Sequence, residues 1–341
     1  MKIIMLIFTT FVLLFGSVLT YADSKEYYSP VYYMVNRDTS EVIASKDENK
    51  KIHPASLTKI MTILLAVELL NENQLNETFE IPTDVFTNLR ELDASVAGFD
   101  PGEKVKVIDI LYGIMLPSGA DASRAIAFYL KGSEKNFVKA MNEKAKKLGL
   151  KNTNFENTSG LDHPSHLSTA ADIHIILENA LKQPLFKKIF EAYSYTSSPT
   201  NLKKSGYIWM NKNLDYALQH ENPSPITGAK SGYTKLSGSS LASIGSVEGT
   251  NYLLVTSGAP YSPFEFFNVQ DAIKFYKSAS SQNAPLNSEN KKQYGNSENI
   301  NNISAEKYPI YIKIILFIIS LTGLGFFIVF LQDKIYYRKR R

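Results

Sequence analysis

The sequence predicts an α/β (α+β) domain over residues 23–278, in which short strands come first, a block of helices follows, and strands return to close a sheet. The stretch PVYYMVNRDTSEVIASKDENKKIHPAS alternates apolar and polar residues around a polar turn at residues 37–40, which is typical of a hairpin. The next run, LTKIMTILLAVELLNEN, is apolar nearly all round, which indicates a helix buried in the domain centre. Later, the runs AKSGYT, GSSLASIGSVEG and TNYLLVTSGAP are strand-like and separated by glycine and polar turns.

The region between the two sets of strands predicts helices. The segment KVIDILYGIMLPSGADASRAIAFYL predicts two helices interrupted at residues 117–119, where proline and glycine break an apolar run. The segment EKNFVKAMNEKAKKLGL predicts an amphipathic helix that ends at Gly149, and the strand-like runs come after STAADIHIILENAL. The expected order is therefore strands, helices, strands.

The N-terminal end has the features of an export signal. Residues 1–22 open with one lysine, continue through an apolar stretch and close on the small residues Thr20 and Ala22. An uncleaved N-terminal anchor is the alternative, because a single positive charge precedes the apolar stretch. Both interpretations predict that the body of the chain is exported.

The C-terminal end predicts a linker, a membrane span and a cytoplasmic tail. Residues 279–309 are rich in Asn, Ser and Glu, a composition that cannot bury a core, so we expect a flexible polar linker. Residues 310–331 include an uncharged apolar run, IILFIISLTGLGFFIVFL, long enough for a transmembrane helix. Residues 332–341 form a basic tail, which the positive-inside rule assigns to the cytoplasm. The sequence therefore predicts a single-pass membrane protein with residues 23–278 outside the cytoplasm.

Composition and charge exclude several classes of function. The apolar content of 44% is normal for a packed globular core. The last ten residues carry five Lys/Arg and one Asp, which accounts for the whole formal net charge of +4. The folded part therefore has no surplus of positive charge for a nucleic-acid partner. The chain has no cysteine, which excludes disulfides, cysteine zinc ligands and a cysteine nucleophile.

The stretch HPASLTKIMT places Ser56 three residues before Lys59. On a helix, residues at this spacing share one face, so the Ser56 hydroxyl and the Lys59 amine can come within hydrogen-bond reach. A serine hydroxyl becomes a nucleophile when a base takes its proton, and a lysine kept neutral by burial can be that base. The alternative from the residues alone is that Ser56 caps the helix.

Two later motifs carry further polar groups. In LPSGADAS, Pro117 and Gly119 expose Ser118 on a loop, where its hydroxyl can relay a proton; the alternative is a helix cap completed by Asp121. TGAKSGYT is an expected edge strand. There Lys230 offers a positive charge and Ser231 a hydroxyl donor, and Gly232 lets a ligand backbone approach closely.

The three motifs SLTK, SGA and KSG resemble the SxxK, SxN and KTG set of the penicillin-recognising serine transferases. More narrowly, HPASLTKIMT, VAGFDPGEKVKVIDILYGIMLPSGADAS, LGLKNTNFENTSGLDHPSHLSTAADI and GAKSGYT are similar to stretches of the low-molecular-mass D-alanyl-D-alanine carboxypeptidases. The resemblance covers about residues 27–262. It implies a β-lactamase/DD-peptidase-like fold, in which an antiparallel sheet flanked by helices lies beside an all-helical lobe and the site occupies the cleft between them.

The resemblance also implies a role for each matched residue. Ser56 would be the acylated nucleophile, Lys59 its base and Ser118 an aid to proton transfer. Lys230 and Ser231, followed by Gly232, would hold the carboxylate of the substrate, and the amides of Ser56 and Tyr233 would form the oxyanion hole.

The implied reaction removes the terminal D-alanine from peptidoglycan stem peptides, without a cofactor, and β-lactam antibiotics would inhibit it covalently. Two positions depart from the family pattern. Ser231 replaces the usual Thr and keeps the hydroxyl. Ala120 replaces the usual Asn and removes an amide that in the family contacts the substrate and steadies the lysine.

Three other functions remain open at this stage. A β-lactamase uses the same Ser and Lys, but the stretch between Ser118 and Lys230 has no ExxLN sequence for a deacylating glutamate. A non-catalytic binding protein is motivated by Ala120. A zinc peptidase is motivated by His163 and His166, although no acidic and histidine partners stand at metal-site spacing.

Overall fold

The structure is a computed structural model that describes residues 27–283. Its strands are β1 (Val31–Asn36), β2 (Val42–Lys46), β3 (Thr78–Glu80), β4 (Lys104–Lys106), β5 (Ser194–Thr196), β6 (Ile208–Met210), β7 (Ile226–Thr234), β8 (Gly238–Val247) and β9 (Thr250–Ala259). Five of them form an antiparallel sheet in the order β2-β1-β9-β8-β7, while β3 pairs with β4 and β5 with β6. The predicted N-terminal hairpin and the three returning strands are confirmed.

The helices lie mainly between β2 and β7 in the chain. They are α1 (Thr58–Leu69), α2 (Val107–Met115), α3 (Ala120–Lys131), α4 (Glu134–Lys147), α5 (Ala170–Leu181), α6 (Pro184–Phe190), α7 (Lys212–His220) and α8 (Phe267–Asn283). Helix α1 is buried along nine of its 12 residues, as its uniformly apolar sequence predicts. Helices α2 and α3 are separate, and the break between them lies where proline and glycine were expected to interrupt the run.

The sheet is covered on both faces, because neighbouring residues of its central strands point to opposite sides. In β9, Leu253 and Val255 join the core shared with α1–α6, whereas Tyr252 and Leu254 join a second core with α7 and α8. This arrangement matches the fold class implied by the resemblance: an antiparallel sheet flanked by helices, with further helices beside it.

The last described helix runs beyond the expected end of the domain. Helix α8 continues to Asn283, and Ala279 is only 2% exposed in the core against the sheet, so the boundary expected at residue 278 falls inside this helix. No helix within residues 27–283 has the length and apolar character needed to cross a bilayer. The predicted signal at 1–22, the linker from residue 284, the span at 310–331 and the tail at 332–341 lie outside the described residues.

Candidate active site

Ser56 lies in a short 3₁₀ turn, Ala55–Leu57, that leads into helix α1. In the first turn of the helix, Lys59 Nζ donates one hydrogen bond to Ser56 Oγ at 3.0 Å and another to the backbone oxygen of Ser159 at 2.7 Å. The residue at the cap position of α1 is Leu57, and no side chain caps the helix. The structure therefore favours the Ser–Lys pair over the alternative in which Ser56 is a helix cap.

The environment of Lys59 favours a neutral amine. Its side chain is buried, with 2% of the residue exposed. Burial, together with the nearby positive charge of Lys230, holds the pKa of Lys59 well below its usual range, and the negative charge of Asp121 partly opposes this effect. A lowered pKa increases the share of the neutral amine, and a neutral lysine can accept the proton of the adjacent Ser56 hydroxyl.

Ser118 occupies the connection between α2 and α3 and contacts the third motif directly. Lys230 Nζ donates to Ser118 Oγ at 2.8 Å and to the backbone oxygen of Ser231 at 2.9 Å. Gly119, not Ser118, is at the cap position of α3, and no side chain caps that helix. Ser118 has a φ of 62° and Ala55 a φ of 48°, so a strained backbone lies at or beside both serines, a feature that clusters at active sites.

Asp121 does not complete a capping box, because its buried carboxylate binds elsewhere. Its two oxygens accept backbone hydrogen bonds from Ala97 at 2.7 Å, Gly98 at 3.0 Å, Phe99 at 3.1 Å and Ala122 at 2.8 Å. Asp121 therefore fixes the loop that precedes β4. The sequence did not reveal this role, since Ala97, Gly98 and Phe99 lie more than 20 residues away from Asp121.

Strand β7 is at the edge of the sheet, as predicted, and it carries the third motif along the site. Lys230 is 3% exposed, and burial lowers its pKa to about 7. A bound carboxylate would raise that pKa again, because an opposite charge favours the ammonium form. Tyr233 is 45% exposed, and its ring stacks on Tyr261 with centroids 4.1 Å apart.

Two glycines pack against the backbone of Ser56 from neighbouring segments. A Cβ added to Gly232 would lie 2.8 Å from the Ser56 nitrogen and 3.0 Å from Ala55 Cβ. Gly160, at a φ of +88°, is closer still: its Cβ would overlap the Ala55 carbonyl and lie 2.9 Å from the Ser56 nitrogen. No side chain larger than hydrogen fits at either position without a shift of the Ser56 backbone.

Ser56, Lys59 and Tyr233 share the wall of a cleft of about 430 Å³. Ala120 lines the same cleft, so the position where the family pattern has an amide side chain faces this space with a methyl group. The structure thus brings the first and third motifs to one cleft. Ser118 and Lys230 form a bonded pair beside it, and Ser231 contributes its backbone oxygen to that pair.

The motifs recognised in the sequence give no role to Asn157, Ser159 and Gly160, although these residues belong to NTSG in one of the stretches similar to the family. The Asn157 side-chain oxygen accepts hydrogen bonds from the backbone nitrogens of Ser159, Gly160 and Leu161, which makes this segment an Asx-type turn. The asparagine, serine and glycine are the usual signal of such a turn. That the turn contacts Lys59 follows only from the tertiary structure.

The histidines that motivated a zinc site have protein partners. His166 Nε2 is 2.9 Å from Thr58 Oγ1, and its Nδ1 accepts from the backbone nitrogen of Glu156 at 3.3 Å. Burial lowers the pKa of His166 to about 4, which keeps the ring neutral. Among residues 27–283, no three His, Cys, Asp or Glu side chains are grouped closely enough to hold a metal ion.

The fold is an antiparallel sheet between two layers of helices. A serine and a buried lysine lie at the start of a helix beside the edge strand of this sheet, and together these features indicate the class of the penicillin-recognising serine enzymes. The family model described as Peptidase_S11, D-alanyl-D-alanine carboxypeptidase, matches residues 19–260. The chain belongs to this family, and the resemblance seen in the sequence is confirmed.

Individual relatives agree with the family assignment. The D-alanyl-D-alanine carboxypeptidase DacF of Bacillus subtilis is 36% identical over 201 residues, which are 59% of this chain and 50% of that protein. DacC of Escherichia coli is 36% identical over 149 residues, 42% of this chain and 37% of that protein. The chain thus spans half or less of the length of these two relatives.

Solved structures are similar over more of their length. The Streptomyces K15 DD-transpeptidase has a TM-score of 0.66 and 27% identity, over 75% of this chain and 98% of that one. The D-alanyl-D-alanine carboxypeptidase of Mycobacterium tuberculosis has a TM-score of 0.63 and 25% identity, over 74% of this chain and 91% of that one. The described domain therefore corresponds to nearly all of each of these two solved structures.

Proposed function

We propose that the chain is a serine-type D-Ala-D-Ala carboxypeptidase that removes the terminal D-alanine from peptidoglycan stem peptides through an acyl-enzyme. The observation that carries the proposal is the contact between Lys59 Nζ and Ser56 Oγ at 3.0 Å, with the lysine buried and its pKa strongly lowered. Membership in the carboxypeptidase family supports the same reaction.

The acylation step assigns each motif a role. The Ser56 oxygen attacks the carbonyl carbon of the D-Ala-D-Ala peptide bond, and Lys59 takes the hydroxyl proton. The negative oxygen of the tetrahedral intermediate is held by the backbone amides of Ser56 and Tyr233. The peptide bond then breaks, and the proton passes to the leaving amine with the help of Ser118, which releases D-alanine.

Deacylation reverses the roles with water as the attacking group. Water attacks the ester carbon, Lys59 takes its proton, and the shortened peptide leaves as Ser56 regains its hydroxyl proton. Before acylation, Lys230 and the Ser231 hydroxyl hold the terminal carboxylate of the substrate, which leaves with D-alanine. Gly232 instead gives room to the backbone of Ser56, since a Cβ there would lie 2.8 Å from the Ser56 nitrogen. A β-lactam would acylate Ser56 in the same way.

The experiment compares the parent with Ser56→Ala after incubation with penicillin and, separately, with a peptide ending in D-Ala-D-Ala. We expect a single penicillin adduct that maps to Ser56 by mass spectrometry, together with release of free D-alanine, and neither in the variant. An adduct on a different serine, or none in the parent, contradicts the proposal. Rapid turnover of penicillin would favour a β-lactamase.

A non-catalytic peptide-binding homologue is the second candidate, and Ala120 is the observation that favours it. If the chain is such a binding protein, the substrate would bind beside Lys230 without being cleaved. Peptide binding by the parent without release of D-alanine would identify this function.

We also propose that the protein is exported and held in the bacterial cell membrane by residues 310–331, with the basic tail inside. The support is the sequence alone: an export signal at 1–22, the uncharged apolar run, and the basic cluster that follows it. Protease added outside intact cells should cut the polar linker and release the catalytic domain. If the domain stays attached after that cut, a second attachment exists, most simply an uncleaved N-terminal segment.

A further inference from the structure

We infer that Asn157 is a positioning residue for the general base: it sets the orientation of the Ser159–Gly160 peptide group, whose carbonyl oxygen holds Lys59 Nζ. The inference rests on the proposed serine acyl-transfer function. Asn157 touches neither Ser56 nor Lys59 in the hydrogen bonds described, so it acts through this one peptide group.

The two ends of this peptide group are bound by different residues. Its oxygen, on Ser159, accepts from Lys59 Nζ at 2.7 Å. Its nitrogen, on Gly160, donates to Asn157 Oδ1 at 2.7 Å. Because a peptide group is planar, fixing the N–H direction fixes the direction of the carbonyl. Asn157 therefore determines where the carbonyl oxygen meets the lysine.

The same side chain organises the whole turn. Asn157 Oδ1 also accepts from the nitrogens of Ser159 at 3.2 Å and Leu161 at 3.1 Å, and from the Ser159 hydroxyl at 3.3 Å. Its Nδ2 donates to the Leu161 oxygen at 2.9 Å. One amide thus bridges both ends of the segment that faces Lys59.

The start of the turn is anchored independently, on the helices. Thr62, one turn after Lys59 on α1, donates to the Thr158 oxygen at 2.7 Å. Thr158 in turn donates from its nitrogen and its hydroxyl to Glu134 Oε1, at 3.0 and 2.7 Å. Loss of the Asn157 side chain should therefore leave Thr158 in place and release the Ser159–Gly160 peptide group.

This positioning matters more in this chain because of Ala120. The methyl group of Ala120 cannot hydrogen-bond to the lysine, so the Ser159 carbonyl is the fixed acceptor that orients Lys59 Nζ toward Ser56. Ser159 is 2% exposed, which keeps this contact out of water. A general base must be held within hydrogen-bond distance of the proton it accepts, so disorder here slows acylation.

The test compares Asn157→Ala, Asn157→Asp and a matched control, Asn142→Ala, in the full-length chain. Asn142 forms hydrogen bonds to the same segment through the nitrogen and the oxygen of Phe155, both at 2.8 Å, and neither bond involves the Ser159–Gly160 peptide group. The measurements are urea unfolding, the rate constant of penicillin acylation as a function of pH, and kcat and KM for D-alanine release.

We expect Asn157→Ala to lower the maximal acylation rate and kcat about 10-fold or more, with KM changed less than threefold. The acid limb of its pH profile should move to lower pH, because an unaligned carbonyl no longer stabilises the charged form of Lys59.

Asn157→Asp keeps the acceptor for Gly160 and adds a negative charge. It should recover most of the rate while its acid limb moves to higher pH. Lys230, Asp121 and His166 also face Lys59, and none of them is altered.

Opposite shifts of the acid limb in the two Asn157 variants, with Asn142→Ala like the parent, support the inference. The inference is wrong, and Asn157 is only structural, if Asn157→Ala and Asn142→Ala lose similar stability and if their acylation rates and pH profiles match each other. A change in KM with kcat unaltered also overturns it, since that result places Asn157 at the substrate. A parent that forms no adduct contradicts the proposed function instead.

Discussion

Two different features can make a position require glycine: a left-handed backbone conformation, and the close approach of another segment. Three glycines of this chain separate the two, because one has only the first feature, one has only the second, and one has both. Gly149 has a φ of +76°, and a Cβ there would meet nothing within 4 Å. At Gly232 no positive φ is involved, but a Cβ would lie 2.8 Å from the Ser56 nitrogen. Gly160 combines both features, with a φ of +88° and an overlap with the Ala55 carbonyl.

The expected losses in the free energy of unfolding follow from these contacts. Gly149→Ala should cost about 1 kcal/mol, the strain of an L-residue in the left-handed region. For Gly232→Ala we expect about 1–2 kcal/mol, because overpacking costs about 1–3 kcal/mol and the stiffer unfolded chain offsets part of it. Gly160→Ala should lose roughly 2–5 kcal/mol, since the strain and the overpacking act together and the contact atoms belong to backbone that cannot rotate away.

The loss of acylation rate should depend on whether the added Cβ displaces the Ser56 backbone, and not on how much stability the variant loses. Both Gly160→Ala and Gly232→Ala displace the Ser56 nitrogen, a proposed oxyanion-hole donor, and loss of one such donor costs about 100- to 1000-fold in rate. Gly149→Ala should acylate like the parent. The assays are urea unfolding and the rate of penicillin acylation on the full-length chain.

The reasoning is refuted if Gly160→Ala and Gly149→Ala lose the same stability and both keep the parent rate. That result would mean that Gly160 is needed only for its backbone conformation, and that the contact with Ala55 and Ser56 relaxes without consequence.

Two further substitutions test the site. Ala120→Asn should release D-alanine as fast as the parent, or up to about 100-fold faster, since a buried amide contact is worth about 1–3 kcal/mol. Slower release by this variant would contradict the assignment of the second motif. Lys59→Met should abolish acylation and raise the free energy of unfolding near neutral pH, because burial holds the pKa of Lys59 in the folded protein below its value in the unfolded chain. Since the folded pKa is the lower one, the parent should gain stability relative to Lys59→Met as pH rises toward the ordinary lysine pKa. A difference in urea midpoint that does not change with pH would contradict a lowered pKa.

Much of the candidate site was predictable because its motifs are local. Ser56 and Lys59 are three residues apart on one helix, so their contact follows from helical geometry. The break between α2 and α3 follows from proline and glycine, which leaves Ser118 outside both helices. Strand β7 was recognisable from its pattern and its turns, so Lys230 was correctly expected at a sheet edge.

The contacts between distant segments were not predictable, since no local pattern encodes which segments meet. The strand pairings place β7 at the sheet edge, yet only the packed domain sets Lys230 against Ser118 at a separation of 112 residues. Asp121 was one candidate partner in a capping box with Ser118, and it instead holds the loop at residues 97–99. The domain boundary was expected at residue 278, which lies inside α8, because the last turns of this helix are rich in serine, a composition typical of linkers.

The sequence by itself determined the family and the broad order of strands, helices and strands, and it predicted the residues proposed to carry the chemistry, because each depends on neighbours within a few positions. Only the tertiary structure decided the state of those residues. Burial and the charge of Lys230 lower the pKa of Lys59, and the turn at Asn157 supplies the carbonyl that holds it. Desolvation and long-range charge depend on what surrounds a side chain in space, and that is fixed when the whole chain packs.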